Sequence, residues 1–239
     1  MGKVIAVYSM KGGVGKSSLA VNLAEAAAQK GRALLWDVDA QGAASFLLGD
    51  SARGHKAQRI FAKDIDPAEV VEPTDVPGLD LIAADLSLRH LDAALADDKP
   101  KRLRKLLEGL APDYERIILD CPPGLGELSD QIFRAADILV VPVAPAPLAI
   151  RTLDQVRAHL AEARGKKAPV LLPVFSMVDR RKGLHREMLA AHADWPAIPQ
   201  ASVVEQMGVK QAPLVHFAPK SPAAEAVADV WRRVEAALG

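Results

Sequence analysis

Two lysines and three glycines crowd into Lys11-Gly12-Gly13-Val14-Gly15-Lys16-Ser17-Ser18, the stretch of the chain best suited to chemistry. Read from Met10, it matches G-x-x-x-x-G-K-[ST], the pattern of a loop that cradles phosphate, except that Met10 stands at the first glycine. Gly12, Gly13 and Gly15 let backbone amides turn inward without side-chain obstruction. Lys16 can then reach β- and γ-phosphates, and Ser17 can offer its hydroxyl to Mg²⁺. The helix that follows adds its positive end. A glycine-rich strand-to-helix turn with no ligand is the plain alternative, but the order strand, glycine turn, helix favours phosphate. Farther along, the apolar run Ile117-Ile118-Leu119 ends in Asp120. A carboxylate there can hold Mg²⁺ opposite Ser17, usually through a coordinated water. Such a strand end is by itself more often structural, and the lysine-rich loop upstream gives it meaning.

These residues need a scaffold that gathers strand ends. Residues 4–8 read as a strand, and Leu19, Leu23, Ala26 and Ala27 stripe a helix from Lys16 to about Gln29. Residues 33–36 form a second strand that delivers Asp37 and Asp39. Further strands are expected at 79–83, 116–120, 138–141 and 169–175. Leu103, Leu106, Leu107 and Leu110 mark one helix, and Ala149, Leu153, Val156 and Leu160 another. A last helix from about Pro222 carries Val227, Val230, Trp231, Val234 and Leu238 on one face. This alternation implies an α/β fold, a mostly parallel twisted sheet with helices on both faces. Ligands in such sheets bind beyond the carboxyl ends of the strands, where all the residues above lie. No repeat or linker interrupts the chain, so residues 1–239 are expected to form a single P-loop NTPase domain.

The extra lysine makes the loop a K-G-G-x-G-K-[ST] sequence, which resembles the deviant Walker A loop of the ParA/MinD ATPases. Asp120-Cys121-Pro122-Pro123-Gly124-Leu125-Gly126 resembles the family's D-x-P-P-x-x-G switch II, and Asp37-Val38-Asp39-Ala40-Gln41-Gly42 its switch I, D-x-D-P-Q-G-N. Met177-Val178-Asp179-Arg180-Arg181 is similar to a T-M-x-D-x-R stretch and Ile198-Pro199 to the start of I-P-R-N, part of an adenine-side pocket. The resemblance spans nearly the whole chain. It implies a cytoplasmic, nucleoid-associated ATPase that uses ATP and Mg²⁺ and forms a nucleotide-sandwich homodimer. Lys11 would reach the partner's phosphates, Asp39 would position the attacking water, and Asp37 would support the Mg²⁺ shell beside Ser17 and Asp120. Met177 and Pro199 would join residues 11–18 in holding the nucleotide. The alternative for Asp37 and Asp39 is that they cap a strand and the next helix. Ala40 and Ala43 depart from switch I, and Gln200 and Ala201 replace the Arg and Asn of the adenine-side motif.

The resemblance also implies DNA binding without sequence preference, together with a cargo adaptor or ParB-like protein that stimulates hydrolysis. Arg180, Arg181, Lys182 and Arg186 lie where the family places part of its DNA surface. Val203 or Val204 replaces an arginine common in DNA-binding relatives, and Lys210 could compensate. Lys99, Lys101, Arg102, Arg104 and Lys105 read instead as a solvated helix face. Lys plus Arg equals Asp plus Glu at 30 each, so any basic surface must be local. A MinD-like membrane protein is the rival reading, but the last helix interleaves Glu225, Asp229 and Glu235 with Arg232 and Arg233 and lacks the cationic face a bilayer favours. The lone Cys121 cannot supply the cysteines of a metal-cluster carrier. A small-molecule ligase would need a second substrate pocket, of which the sequence gives no sign. No signal peptide or amino-terminal operator-reading helices are expected, since the sequence opens on its first strand.

Overall fold

The computed structural model describes residues 2–49, 57–62, 64–91, 95, 101–164 and 168–239. Strand β1 (Lys3–Val7) runs through the glycine loop into helix α1 (Lys16–Ala28), and β2 (Ala33–Asp37) into the short α2 (Ala43–Leu47). After α3 (Gln58–Phe61) come β3 (Glu72–Pro73) and β4 (Leu79–Ile82). Helix α4 (Arg102–Leu110) leads to β5 (Arg116–Asp120), α5 (Glu127–Ala135) to β6 (Ile138–Val143), and α6 (Pro147–Arg164) to β7 (Val170–Val178). The chain closes with α7 (Gly183–Ala191), β8 (Ala197–Pro199), α8 (Ser202–Lys210), α9 (Leu214–Phe217) and α10 (Pro222–Leu238).

The strands form one sheet in the order β3-β4-β2-β5-β1-β6-β7-β8. Every pairing is parallel except that of β3 with β4. The central strands are apolar at almost every position because both sheet faces are covered. Ile5 and Val7 point to one face, against Leu19, Leu23, Met207, Val227 and Val230 of α1, α8 and α10. Val4, Ala6 and Tyr8 point to the other, against Leu103, Leu107, Ile132, Phe133, Leu153 and Val156 of α4, α5 and α6. The β1 strand is central, so its loop opens where neighbouring chain paths diverge, the usual ligand position in such sheets.

The α/β class, the parallel order and most strands match the sequence expectation within a residue or three. The elements the sequence reading lacked are short: α2, α3, α9, β8 and the two-residue β3, together with the nine-residue α5, α7 and α8. Helix α7 has no buried side chain, so no apolar stripe betrays it. One basic residue is corrected. Arg102 is buried, not solvated: its Nε and Nη2 donate to the carbonyls of Phe61 and Ile60, at 2.9 and 2.8 Å, where α3 ends. Those orphan helix-end carbonyls give the guanidinium its reason to turn inward. Lys101, Arg104 and Lys105 remain exposed, and Lys99 lies outside the described residues. Replacing Arg102 with Leu should strand both carbonyls and lower stability by roughly 2–4 kcal/mol in urea unfolding. An unchanged urea midpoint would show that neither bond contributes.

Candidate functional site

The glycine loop is built so that nothing of its own fills it. Gly13 and Gly15 hold φ of 72° and 82°, the left-handed region that glycine adopts without strain. A Cβ placed at Gly12, Gly13 or Gly15 would meet no atom within 4 Å. Gly15 occupies the N-cap of α1, and no side chain caps that helix, so its first amides remain open to an anion. From below the loop is fixed: the buried Ser176 hydroxyl of β7 donates to the Val14 carbonyl at 2.8 Å. Lys16 is buried and folds back over the loop, its Nζ 3.4 Å from the Lys11 carbonyl, whereas Lys11 itself is exposed.

Beside the loop, Asp37 and Asp120 are direct neighbours in the register of β2 and β5, and both are fully buried. Their surroundings differ. Asp37 is well supplied: Oδ1 accepts from the Asp39 amide at 3.1 Å, and Oδ2 from the Ser45 amide and hydroxyl at 2.9 and 2.8 Å. Neither oxygen of Asp120 has a well-formed hydrogen bond, although the Ser17 hydroxyl stands close enough to favour its charged form. Burial pushes both acids up, Asp37 to about 6 and Asp120 well above the usual carboxylate range. The charge of Asp39 adds to the rise of Asp37 and that of Asp37 to the rise of Asp120, while the Ser17 hydroxyl and Lys16 pull Asp120 down.

A divalent cation at Ser17 and Asp120 would satisfy that orphaned carboxylate. No group of three or more His, Cys, Asp or Glu side chains forms a metal cage among the described residues. Mg²⁺ needs none, since it keeps waters and shares its shell between one or two carboxylates and a substrate's phosphates. The donor set therefore fits Mg²⁺ held between protein and phosphate. Asp37, with two bonds to Oδ2 from Ser45 and one to Oδ1 from Asp39, would support the shell of such a cation through its charge and the remaining capacity of Oδ1. Asp39 is nearly buried and its Oδ1 accepts the Gln41 amide at 3.0 Å, at the mouth of the same carboxylate group.

Met177 and Pro199 line one apolar cleft with Gly15, Ser18, Ile198 and Val204, on the side of the loop away from the carboxylates. The basic group after β7 is divided. Arg181 pairs with Asp179 through Nε and Nη2 at 2.8 and 2.9 Å, and Arg186 donates to the carbonyls of Arg180 and Arg181. Arg180, Lys182 and Lys210 are exposed and have no ion-pair partner among the described residues. Three residues of the site escaped the sequence reading, Ser176 beneath the phosphate loop among them. Ser45 gave no signal, because its bond to Asp37 depends on α2 folding back; its hydroxyl also accepts the Ala84 amide at 3.0 Å. Tyr8, read only as the end of a strand, reaches across to Gly124 at 2.9 Å.

Likeness to known proteins agrees with this geometry. A family model described as an AAA domain matches residues 2–171. The chain is 30% identical to the sporulation initiation inhibitor protein Soj of Bacillus subtilis, over 99% of both chains. It is 34% identical to the chromosome partitioning protein ParA of Caulobacter vibrioides, across 78% of this chain and 73% of that one. The chain belongs to the ParA/MinD family of P-loop ATPases. Among solved structures it is similar to cobyrinic acid a,c-diamide synthase from Mycobacterium smegmatis, solved with an ATP analog and magnesium. That likeness has a TM-score of 0.81 and 27% identity and covers 98% of this chain and 94% of the other.

In this ParA/MinD chain the raised acids link stability to pH. The folded protein holds the Asp37 proton more tightly than the unfolded chain, whose acid titrates near 3.8. Between about pH 4 and 6 it therefore loses stability as pH rises, and Asp120 extends that loss to higher pH. Asp120→Asn should raise the melting temperature at pH 7.5 without added nucleotide by about 5 °C, equivalent to roughly 1–2 kcal/mol at this chain length. It should also flatten the decline between pH 5.5 and 7.5. A lower melting temperature at pH 7.5 would show the charge already compensated by Lys16.

Proposed function

We propose that this chain is a Mg²⁺-dependent ATPase of the ParA type, which closes into a homodimer around ATP, binds DNA without sequence preference in that state, and positions or segregates a cargo. The observation that carries the reading is the open glycine loop set against the unpartnered carboxylate of Asp120. A triphosphate laid along the loop would take the first amides of α1, and Lys16 would exchange the Lys11 carbonyl for phosphate oxygens. Mg²⁺ bound by Ser17 and Asp120 would neutralise charge on the β- and γ-phosphate oxygens. Asp39 would orient the attacking water, and Asp37 would keep Asp39 and α2 in place. Residues 121–126 would respond to the γ-phosphate, and Met177 and Pro199 would flank the base. ATP rather than another nucleotide is supported by the structural relative bound to an ATP analog and magnesium.

Lys11 is exposed and can extend toward a second protomer. Lys11→Ala should abolish ATP-dependent dimerisation in light scattering and slow hydrolysis by at least about tenfold. A wild-type protein that hydrolyses ATP fully as a monomer would sink the sandwich mechanism. For DNA, the free cations matter more than the paired one. Arg180→Glu with Lys182→Glu should weaken ATP-dependent DNA retention, with a flatter salt dependence, by more than Arg181→Glu does, because Asp179 already offsets Arg181. Equal losses would show that the ion pair opens on DNA.

A membrane role has less support. The apolar stripe of α10, with Val227, Val230, Trp231 and Val234, is buried against the sheet and is not free for a bilayer. No helix of the described residues is long and apolar enough to cross a membrane. A diamide-synthase activity, as the name of the structural relative suggests, needs room for a second substrate. Of two cavities flanking the loop, the one beside Lys11, between Ser9, Val143 and Leu153, measures about 20 Å³, and the other, about 100 Å³ beside Met177 and Pro199, is the one the nucleotide base would take.

A further inference from the structure

We propose that Tyr8 is a positioning residue: its hydroxyl, fixed at the root of the phosphate loop, holds the middle of the 121–126 segment where the reaction needs it. The inference rests on the ATPase reading and assigns a part of that mechanism to a residue outside the recognised motifs. The segment is anchored at both ends, at the first to β1 and at the second by a local turn. The Cys121 amide donates to the Val7 carbonyl at 3.2 Å, and the Gly126 amide and carbonyl both bond the Ser129 hydroxyl, at 2.8 and 2.7 Å. Between them Pro123 and Leu125 are exposed, and Gly124 sits at φ 95°. Among the described residues, the bond from the Tyr8 hydroxyl to the Gly124 carbonyl, at 2.9 Å, is the hydrogen bond that ties this middle to the core.

The phenol makes a rigid post. Tyr8 is fully buried, its amide donates to the Val140 carbonyl of β6 at 3.0 Å, and its ring meets Phe133 edge-on at 4.9 Å. Backbone and ring are thus both fixed, so the hydroxyl cannot follow a segment that drifts. Burial, with Cys121 and Asp130 nearby, keeps the phenol protonated and therefore a donor. Only Ser9 and Met10 separate Tyr8 from Lys11, so one strand end supports both the loop that would grip phosphate and the segment that would sense it. A segment held ready before the reaction needs no ordering during it, and the benefit falls on turnover rather than on binding. The phosphate grip belongs to Lys16 and the loop amides, which the hydroxyl does not touch.

Tyr8→Phe removes one oxygen from a packed ring and should fold. We expect kcat to fall about fivefold, the rate equivalent of one neutral hydrogen bond, with KM for ATP unchanged. Amide exchange at Gly124, Leu125 and Gly126, read by mass spectrometry, should quicken while that of α1 and β1 stays as in wild type. Phe133→Leu, which loosens the ring but keeps the hydroxyl, should lie between the two. Unchanged kcat and exchange would overturn the proposal, as would a KM that rises in step with any loss of rate. Quicker exchange in Tyr8→Phe from a wild-type protein that hydrolyses no ATP would leave the post in place as a fold element and overturn both its catalytic role and the ATPase reading.

Discussion

Two carboxylates lie side by side in the dry interior of a parallel sheet, and the rest of the site is arranged around that fact. Asp37 and Asp120 are forced together by register, since β2 and β5 end level and both acids occupy the last position. Burial of like charges is unfavourable unless each finds a partner. Asp37 finds three, from Asp39 and Ser45. Asp120 has Lys16 and Ser17 near it and no well-formed bond of its own. The difference divides their tasks: one acid organises the chain, and the other is left with binding capacity toward the phosphate loop.

That division also explains why the surroundings are so firmly tied. Loops at the carboxyl edge of a sheet carry function only as precisely as their supports hold them. Ser176 supports the phosphate loop from β7, Ser45 ties α2 to Asp37 and to the amide of Ala84, and Tyr8 supports the segment after Asp120. All three carry hydroxyls and enter from different parts of the fold. Ser176 and Tyr8 donate to distant backbone carbonyls, and Ser45 donates to nearby Asp37 while accepting from the amide of Ala84. Helices on both faces keep the strands dry enough for these single bonds to matter, because a bond shut from water has no solvent competitor.

The basic turn after β7 shows that a cluster of charges is not a uniform surface. Arg181 is neutralised by Asp179, Arg186 closes the turn by binding its carbonyls, and Arg180 and Lys182 are left facing solvent. In the other basic run, Arg102 turns inward to finish α3 while its neighbours stay outside. Identical residue types thus divide into structural and available cations according to which backbone groups lack partners nearby.

Much of this molecule was legible in its one-dimensional order. The glycine spacing at 12, 13 and 15, the lysines at 11 and 16 and the acids ending apolar runs at 37 and 120 announce a phosphate site, because local backbone freedom and strand length are written in consecutive residues. The alternating apolar segments likewise announce a covered parallel sheet. Short or solvent-facing elements such as α2 and α7 carry too little periodicity to be read. Only the tertiary structure decided which acid would find hydrogen-bond donors, which arginine would be buried and which tyrosine would reach a loop 116 residues away. Those outcomes depend on strand register and on backbone groups left open by distant elements, and neither is contained in local sequence.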